Sequence, residues 1–215
     1  MYKAVIFDMD WVLTDSEHST FLSDQFTLST YGIKEFSIND FKPNTWKSLK
    51  LRIPLYEHKY WIKIDFESYS EIFIKKQLEL ILDDLSKERE NMIIFFKQLR
   101  EKWLKIAVAT SARKNKAQPI LETLGILQFL NSFIHLDSVN HGKPDPEPYL
   151  LSAKNLSLTS KDCLVIEDSV SWIKSWKSAW MNVLAMKSDA FTREEQHMAD
   201  GYIDKLSDIF NFLEC

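Results

Sequence analysis

Unbroken apolar runs, each closed by a polar turn, recur along the chain: "YKAVIFD" (2–8), "KIAVAT" (105–110), "FIHLD" (133–137), "CLVIED" (163–168) and "NVLAM" (182–186). Runs without alternation belong to strands buried on both faces, as in a parallel sheet. Amphipathic helical stretches lie between most of them. Residues 92–101 end in "KQLRE", residues 117–124 stop at Gly125 as a C′ cap, and 147–155 read "EPYLLSAKN". Strands alternating with helices predict an α/β fold of three layers, a parallel sheet between helices. Ligands bind such sheets at the carboxyl ends of the strands, so the residues after each run are the ones to inspect.

The interval 16–88 breaks this pattern. It is polar, dotted with aromatics and helical in period ("FESYSEIFIKKQLELILDDLSK"), with no convincing buried strand. It reads as an α-helical insertion directly after the first strand, leaving 1–15 and 89–215 as the α/β core.

Bulk properties narrow the function. The 215 residues carry a formal charge of −4, which gives no electrostatic case for nucleic acid or an anionic membrane as partner. No apolar stretch approaches membrane-spanning length and the N-terminus does not resemble a signal peptide, so a cytoplasmic location is expected. Cys163 and Cys215 make no disulfide framework, and Cys163 sits in an apolar run as a buried free thiol. Oligomeric state is not legible.

Four strand ends carry candidate chemistry. Asp8 and Asp10 follow the first, where one carboxylate can attack or bind metal while the other handles a proton; a solvated turn is the plain alternative. Thr110 and Ser111 follow the second and can hold an anion at a helix N-terminus or simply cap it. Lys143 stands in "NHGKPDPEPY", held extended by Pro144, with Asp145 placed as N-cap and Pro146 at the first helical position. Such a lysine can meet a phosphate or lie in solvent. Glu167 and Asp168 leave the fourth strand and suit a hard cation such as Mg²⁺, or a helix cap. Singly each alternative stands. Four coinciding at one sheet edge point to a phosphate and metal site.

The order and wording of "FDMDxVLTDSE", "VATSARKN", "GKPDPEPY" and "VIEDSVS" resemble the haloacid dehalogenase-like superfamily of phosphotransferases over about residues 2–186. The resemblance implies a Rossmann-like core, with residues 16–88 as the helical cap of the β-phosphoglucomutase and phosphoglycolate phosphatase branch, closing over the site to exclude water. By position it makes Asp8 the nucleophile and Asp10 the general acid/base. Thr110, Ser111 and Lys143 would bind the phosphoryl group. Mg²⁺ would sit on Asp8, the carbonyl of Asp10 and Asp168, with Glu167 nearby. It implies hydrolysis of a small phosphorylated metabolite, with mutase chemistry as the alternative. The presence of Asp10 argues against dehalogenation. Lys42, Lys47 and Lys50 offer no pattern for Schiff-base chemistry, and His18 reads as a solvated helix residue.

Tryptophan and glycine are out of proportion, 7 against 4, where glycine alone usually makes up roughly 7% of a chain. By the same resemblance, Trp11, Trp103, Trp172 and Trp180 stand on glycine positions and Trp176 on that of a small residue. Trp46 and Trp61 fall where glycine is common. Three readings follow: core aromatics, which suits the i, i+4, i+8 spacing of Trp172, Trp176 and Trp180; a decayed enzyme with a crowded pocket; or glycine codons read as tryptophan, since UGA means one in some genetic codes and the other in others. The third explains both imbalances together, and it predicts strain at Trp11.

Overall fold

Ala4–Phe7, four residues without a polar side chain, form the central strand β1 and are buried on both faces. The computed structural model describes residues 1–14, 17–44, 47–170, 173, 180–188 and 191–213. The chain divides into two compact units, Met1–Thr14 with Leu85–Cys215, and Asp15–Asp84.

In the first unit, β1 pairs in parallel with β2 (Lys105–Ala109) on one side and β4 (Cys163–Glu167) on the other. With β3 (Ser132–Ile134), β5 (Asn182–Met186) and β6 (Gly201–Ile203) the parallel order is β3-β2-β1-β4-β5-β6. This is the doubly wound, Rossmann-like arrangement, and its switch point lies at β1. Ala4 and Ile6 face a cluster with Ala107, Ala109, Val165 and Tyr149. The alternate residue Phe7 meets Phe95 and Phe96 at centroid distances of 6.1 and 5.4 Å. Both faces of the strand are therefore covered, which is why its sequence shows no alternation.

Several boundaries differ from the sequence reading. The third run is strand only over Ser132–Ile134, then turns through Leu136–Ser138 as 3₁₀ helix. β6 escaped detection because three residues in a polar setting carry no periodic signal. Asp145 is not the N-cap: Pro146 holds that place, the helix runs Glu147–Asn155, and Asp145 instead accepts the Glu147 N–H through Oδ1 at 2.9 Å. Gly125 is a C′ residue as read, at φ 70°, with the Ile126 N–H on Leu121 O and its own N–H on Glu122 O. Cys163 is a buried free thiol, whereas Cys215 lies outside the described residues. Among the described residues no helix is long and apolar enough to cross a membrane.

The second unit is helical: α1 (Glu17–Thr30), α2 (Ile38–Phe41), α3 (Leu49–Tyr60) and the start of α4 (Phe66–Glu101). Nothing in 66–101 breaks a helix, so segments read separately form one element of 36 residues. The core of this unit gathers Leu28, Phe36, Phe41, Ile53, Tyr56, Tyr69 and Phe73. It also buries an ion pair, Asp24 Oδ2 to Arg52 Nη1 at 3.0 Å. Tyr56 and Tyr69 donate to the same carboxylate, each at 2.8 Å, and the Arg52 guanidinium lies over the rings of Phe41 and Phe73. Asp24→Leu leaves a buried guanidinium without its counter-ion and two hydroxyls without an acceptor. A loss of about 3–5 kcal/mol in urea unfolding is expected; a loss below about 1 kcal/mol would show the pair to be solvated.

Candidate active site

The carboxyl end of β1 delivers Asp8 into the interior. It is 1% exposed, and its backbone N–H donates to Ile166 O on β4 at 3.0 Å. Neighbouring strands place their own residues beside it, Thr110 after β2 and Glu167 with Asp168 at the end of β4. Lys143 arrives from the loop before the helix Glu147–Asn155, termed α6 after α5 (Lys114–Thr123). All seven residues expected at the site thus follow from this one sheet edge, but they divide into an inner and an outer group.

The inner group is Asp8, Lys143, Glu167 and Asp168. The Lys143 ammonium, itself buried, donates to Asp8 Oδ1 and lies 3.5 Å from Glu167 Oε1, with the Tyr149 ring centroid 4.7 Å away. Glu167 Oε2 accepts the backbone N–H groups of Asp168 (2.6 Å) and Ser169 (2.9 Å), so this carboxylate ties down both the turn after β4 and the lysine. Carboxylate oxygens of Asp8, Glu167 and Asp168 lie within 4.8 Å of one another. Three acids face one ammonium. Burial pushes Asp8 up to about 8, with Lys143 opposing and Glu167 adding to the rise. Glu167 is pushed up to about 8 and Asp168 to about 7, again chiefly by burial.

That excess of buried acid suits a divalent cation. Asp8 Oδ2 is buried without a hydrogen-bond partner, and hard cations take carboxylate oxygen. The donor set fits Mg²⁺ or a cation like it.

The outer group is Asp10, Thr110 and Ser111. Asp10 keeps 27% of its side chain exposed and pairs with Lys116 Nζ of α5 at 3.2 Å. Thr110 is buried and its Oγ1 accepts the Ala112 N–H at 3.0 Å. Ser111 Oγ is buried with no partner, a hydroxyl ready to donate to an anion. Between Asp10 and Thr14 the chain reverses tightly: the Leu13 and Thr14 N–H groups both reach Met9 O, and the Trp11 N–H donates to Thr14 O at 2.7 Å. Trp11 stands in this turn at φ 68°. That is the strain expected there, since a bulky L-residue costs about 1–2 kcal/mol in this region.

Sequence reasoning missed three contributors. Nothing in "SARKNKAQ" sets Lys116 apart from the basic residues around it. Tyr149, in contact with Lys143, carries no mark in "EPYLLSAKN" that sets it apart from the other apolar positions. Gln196, in the polar stretch "TREEQHMAD", is buried and donates to Asp168 O at 2.5 Å and Met186 O at 3.2 Å, fixing the β4 turn. No local pattern distinguishes it from a solvated glutamine. His18 is exposed on α1, in keeping with its solvated reading.

A haloacid dehalogenase-like hydrolase profile matches residues 5–186. A pyrophosphatase PpaX candidate of Clostridium perfringens is 28% identical over all of this chain and 98% of its own length. A phosphorylated carbohydrates phosphatase of Thermotoga maritima is 29% identical over 82% of this chain and 81% of its own. The crystal structure of a β-phosphoglucomutase candidate from Thermotoga maritima superposes with a TM-score of 0.82 at 25% identity, covering 100% of this chain and 99% of that one. With its motifs gathered at the switch point of a parallel sheet and its length matched from the first strand to the fifth, the chain belongs to the haloacid dehalogenase-like hydrolases and is an enzyme.

Proposed function

We propose that the chain is a Mg²⁺-dependent phosphatase that hydrolyses a small phosphomonoester, a sugar phosphate or a phosphoglycolate-like compound, through an aspartyl-phosphate on Asp8. The observation that carries this reading is the Asp8 carboxylate itself, buried at the switch point with one oxygen on Lys143 and the other bare. In the first step an Asp8 oxygen attacks phosphorus and the bond from phosphorus to the leaving oxygen breaks. Asp10 gives that oxygen its proton. Asp10 then takes a proton from water, whose oxygen attacks the same phosphorus and releases Asp8. Thr110, Ser111 and Lys143 hold the transferring group and offset its charge, which an anionic nucleophile requires.

Asp8, Asp168 and the backbone carbonyl of Asp10 would hold the cation, with Glu167 acting mainly through Lys143 and its own turn. When bound, the cation neutralises charge on the phosphoryl oxygens and on the acids. Its linkage to pH is testable. In the metal-free protein the raised carboxyls bind protons more tightly folded than unfolded, so their contribution to stability is full below about pH 4 and is lost as pH rises to about 8. A cation favours the ionised forms. The rise in melting temperature caused by Mg²⁺ is therefore expected to grow from about pH 5 to about pH 8; a shift independent of pH would place the cation elsewhere.

The function is tested by phosphate release from a panel of sugar phosphates, phosphoglycolate and pyrophosphate, with and without Mg²⁺. Pyrophosphate belongs in the panel because of the full-length likeness to the Clostridium perfringens relative. The Thermotoga maritima fold neighbour favours a second reading, a sugar-phosphate mutase. A mutase would isomerise its substrate without net phosphate release, whereas the reading preferred here requires release. Absence of both would leave a phosphate-binding protein.

A further inference from the structure

We propose that the natural polypeptide carries glycine where this sequence carries Trp11, Trp61, Trp103 and Trp180, because their codons are UGA and the source organism reads UGA as glycine. All four tryptophans among the described residues have left-handed backbone, with φ of 68°, 54°, 61° and 59°. Only Ser157 shares this region among the other described residues that are not glycine. None of the 14 phenylalanines and seven tyrosines does, so the property belongs to tryptophan and not to aromatic side chains. Bulky residues are outliers there, glycine is the default, and asparagine or aspartate is the ordinary substitute.

The turns themselves ask for glycine. At the end of α4 the Trp103 N–H donates to Arg100 O and the Leu104 N–H to Leu99 O, a Schellman closure with Trp103 at C′. The ends of α1, α5 and α6 close by the same pair of bonds, and there the C′ residues are Gly32, Gly125 and the small Ser157, none of them bulky. Trp61 ends α3 in the same backbone conformation, φ 54° and ψ 39°. The side chains contribute little packing against the strain: Trp61, Trp103 and Trp180 are 91%, 93% and 78% exposed, and the Trp61 ring stacks on the exposed His58 at a centroid distance of 6.4 Å. That disposes of the core-aromatic reading for these three. They stand at three separate turns, after α3, after α4 and before β5.

Decay of an enzyme does not account for them either, since Asp8, Asp10, Lys143 and Asp168 are all present. One reassigned codon explains why the substitutions are always glycine to tryptophan, why they concentrate at positive φ, and why glycine is scarce while tryptophan is abundant. Trp46, Trp172 and Trp176 lie outside the described residues, and the sequence pattern extends the same assignment to them. The test is peptide sequencing by mass spectrometry of the protein isolated from its source organism, read beside the gene. Glycine at positions 11, 61, 103 and 180 over UGA codons is expected. Tryptophan at any of those four positions, or a UGG codon there, overturns the proposal.

Discussion

Asp8→Asn is expected to reduce phosphate release by about 10⁴-fold or more, because it removes the attacking oxygen while keeping the shape of the side chain. The same substitution removes one of three acids crowded around Lys143, so the metal-free variant is expected to melt no lower than the parent. This pairing of outcomes separates catalysis from folding. A merely structural Asp8 would give the reverse, with activity tracking a loss of stability. Steady-state kinetics and thermal unfolding of the two proteins decide between them; a variant that keeps a tenth of the activity is incompatible with a nucleophilic role.

The second large effect concerns stability. Replacing Trp61, Trp103 and Trp180 by glycine together is expected to raise the melting temperature by roughly 6–12 °C. Each relieves a left-handed turn worth about 1 kcal/mol net, after allowing for the greater freedom of glycine in the unfolded chain. For a chain of this size about 1 kcal/mol corresponds to roughly 2–4 °C. None of the three belongs to the proposed catalytic group, so turnover at low temperature is expected to stay unchanged. An unaltered or lower melting temperature would mean that the exposed indoles contribute contacts which outweigh the backbone strain.

The inner strands were legible because burial on both faces removes polar alternation, and β1, β2, β4 and β5 are such strands. β6 was not, because a three-residue edge element leaves no period to read. The candidate residues after the strands drew notice for a related reason: a parallel sheet forces strand ends to one edge, so four unremarkable short motifs gain meaning from their order. What order cannot convey is the division of labour. Nothing in "VIEDSVS" says that Glu167 turns one oxygen to the backbone N–H groups of Asp168 and Ser169 and the other toward Lys143. Long-range partners were equally hidden. Gln196 reaches Asp168 across 28 residues and Lys116 reaches Asp10 across 106, and neither contact follows from local pattern. Trp11 shows the opposite case, in which a residue type at odds with its turn was visible before the φ angle was.

The most direct test of the account is to trap the covalent intermediate. A substrate that the panel shows to be turned over, labelled in its phosphoryl group, is mixed with the enzyme and Mg²⁺, quenched in acid within milliseconds, and the label is mapped by peptide. Both the chain with Trp11 and its Trp11→Gly variant are used, so that a crowded turn is not mistaken for absent chemistry. Label on Asp8, lost in Asp8→Asn and removed by hydroxylamine, is the expected result. Turnover with the label on another residue, or with release of phosphate unimpaired in Asp8→Asn, would contradict it.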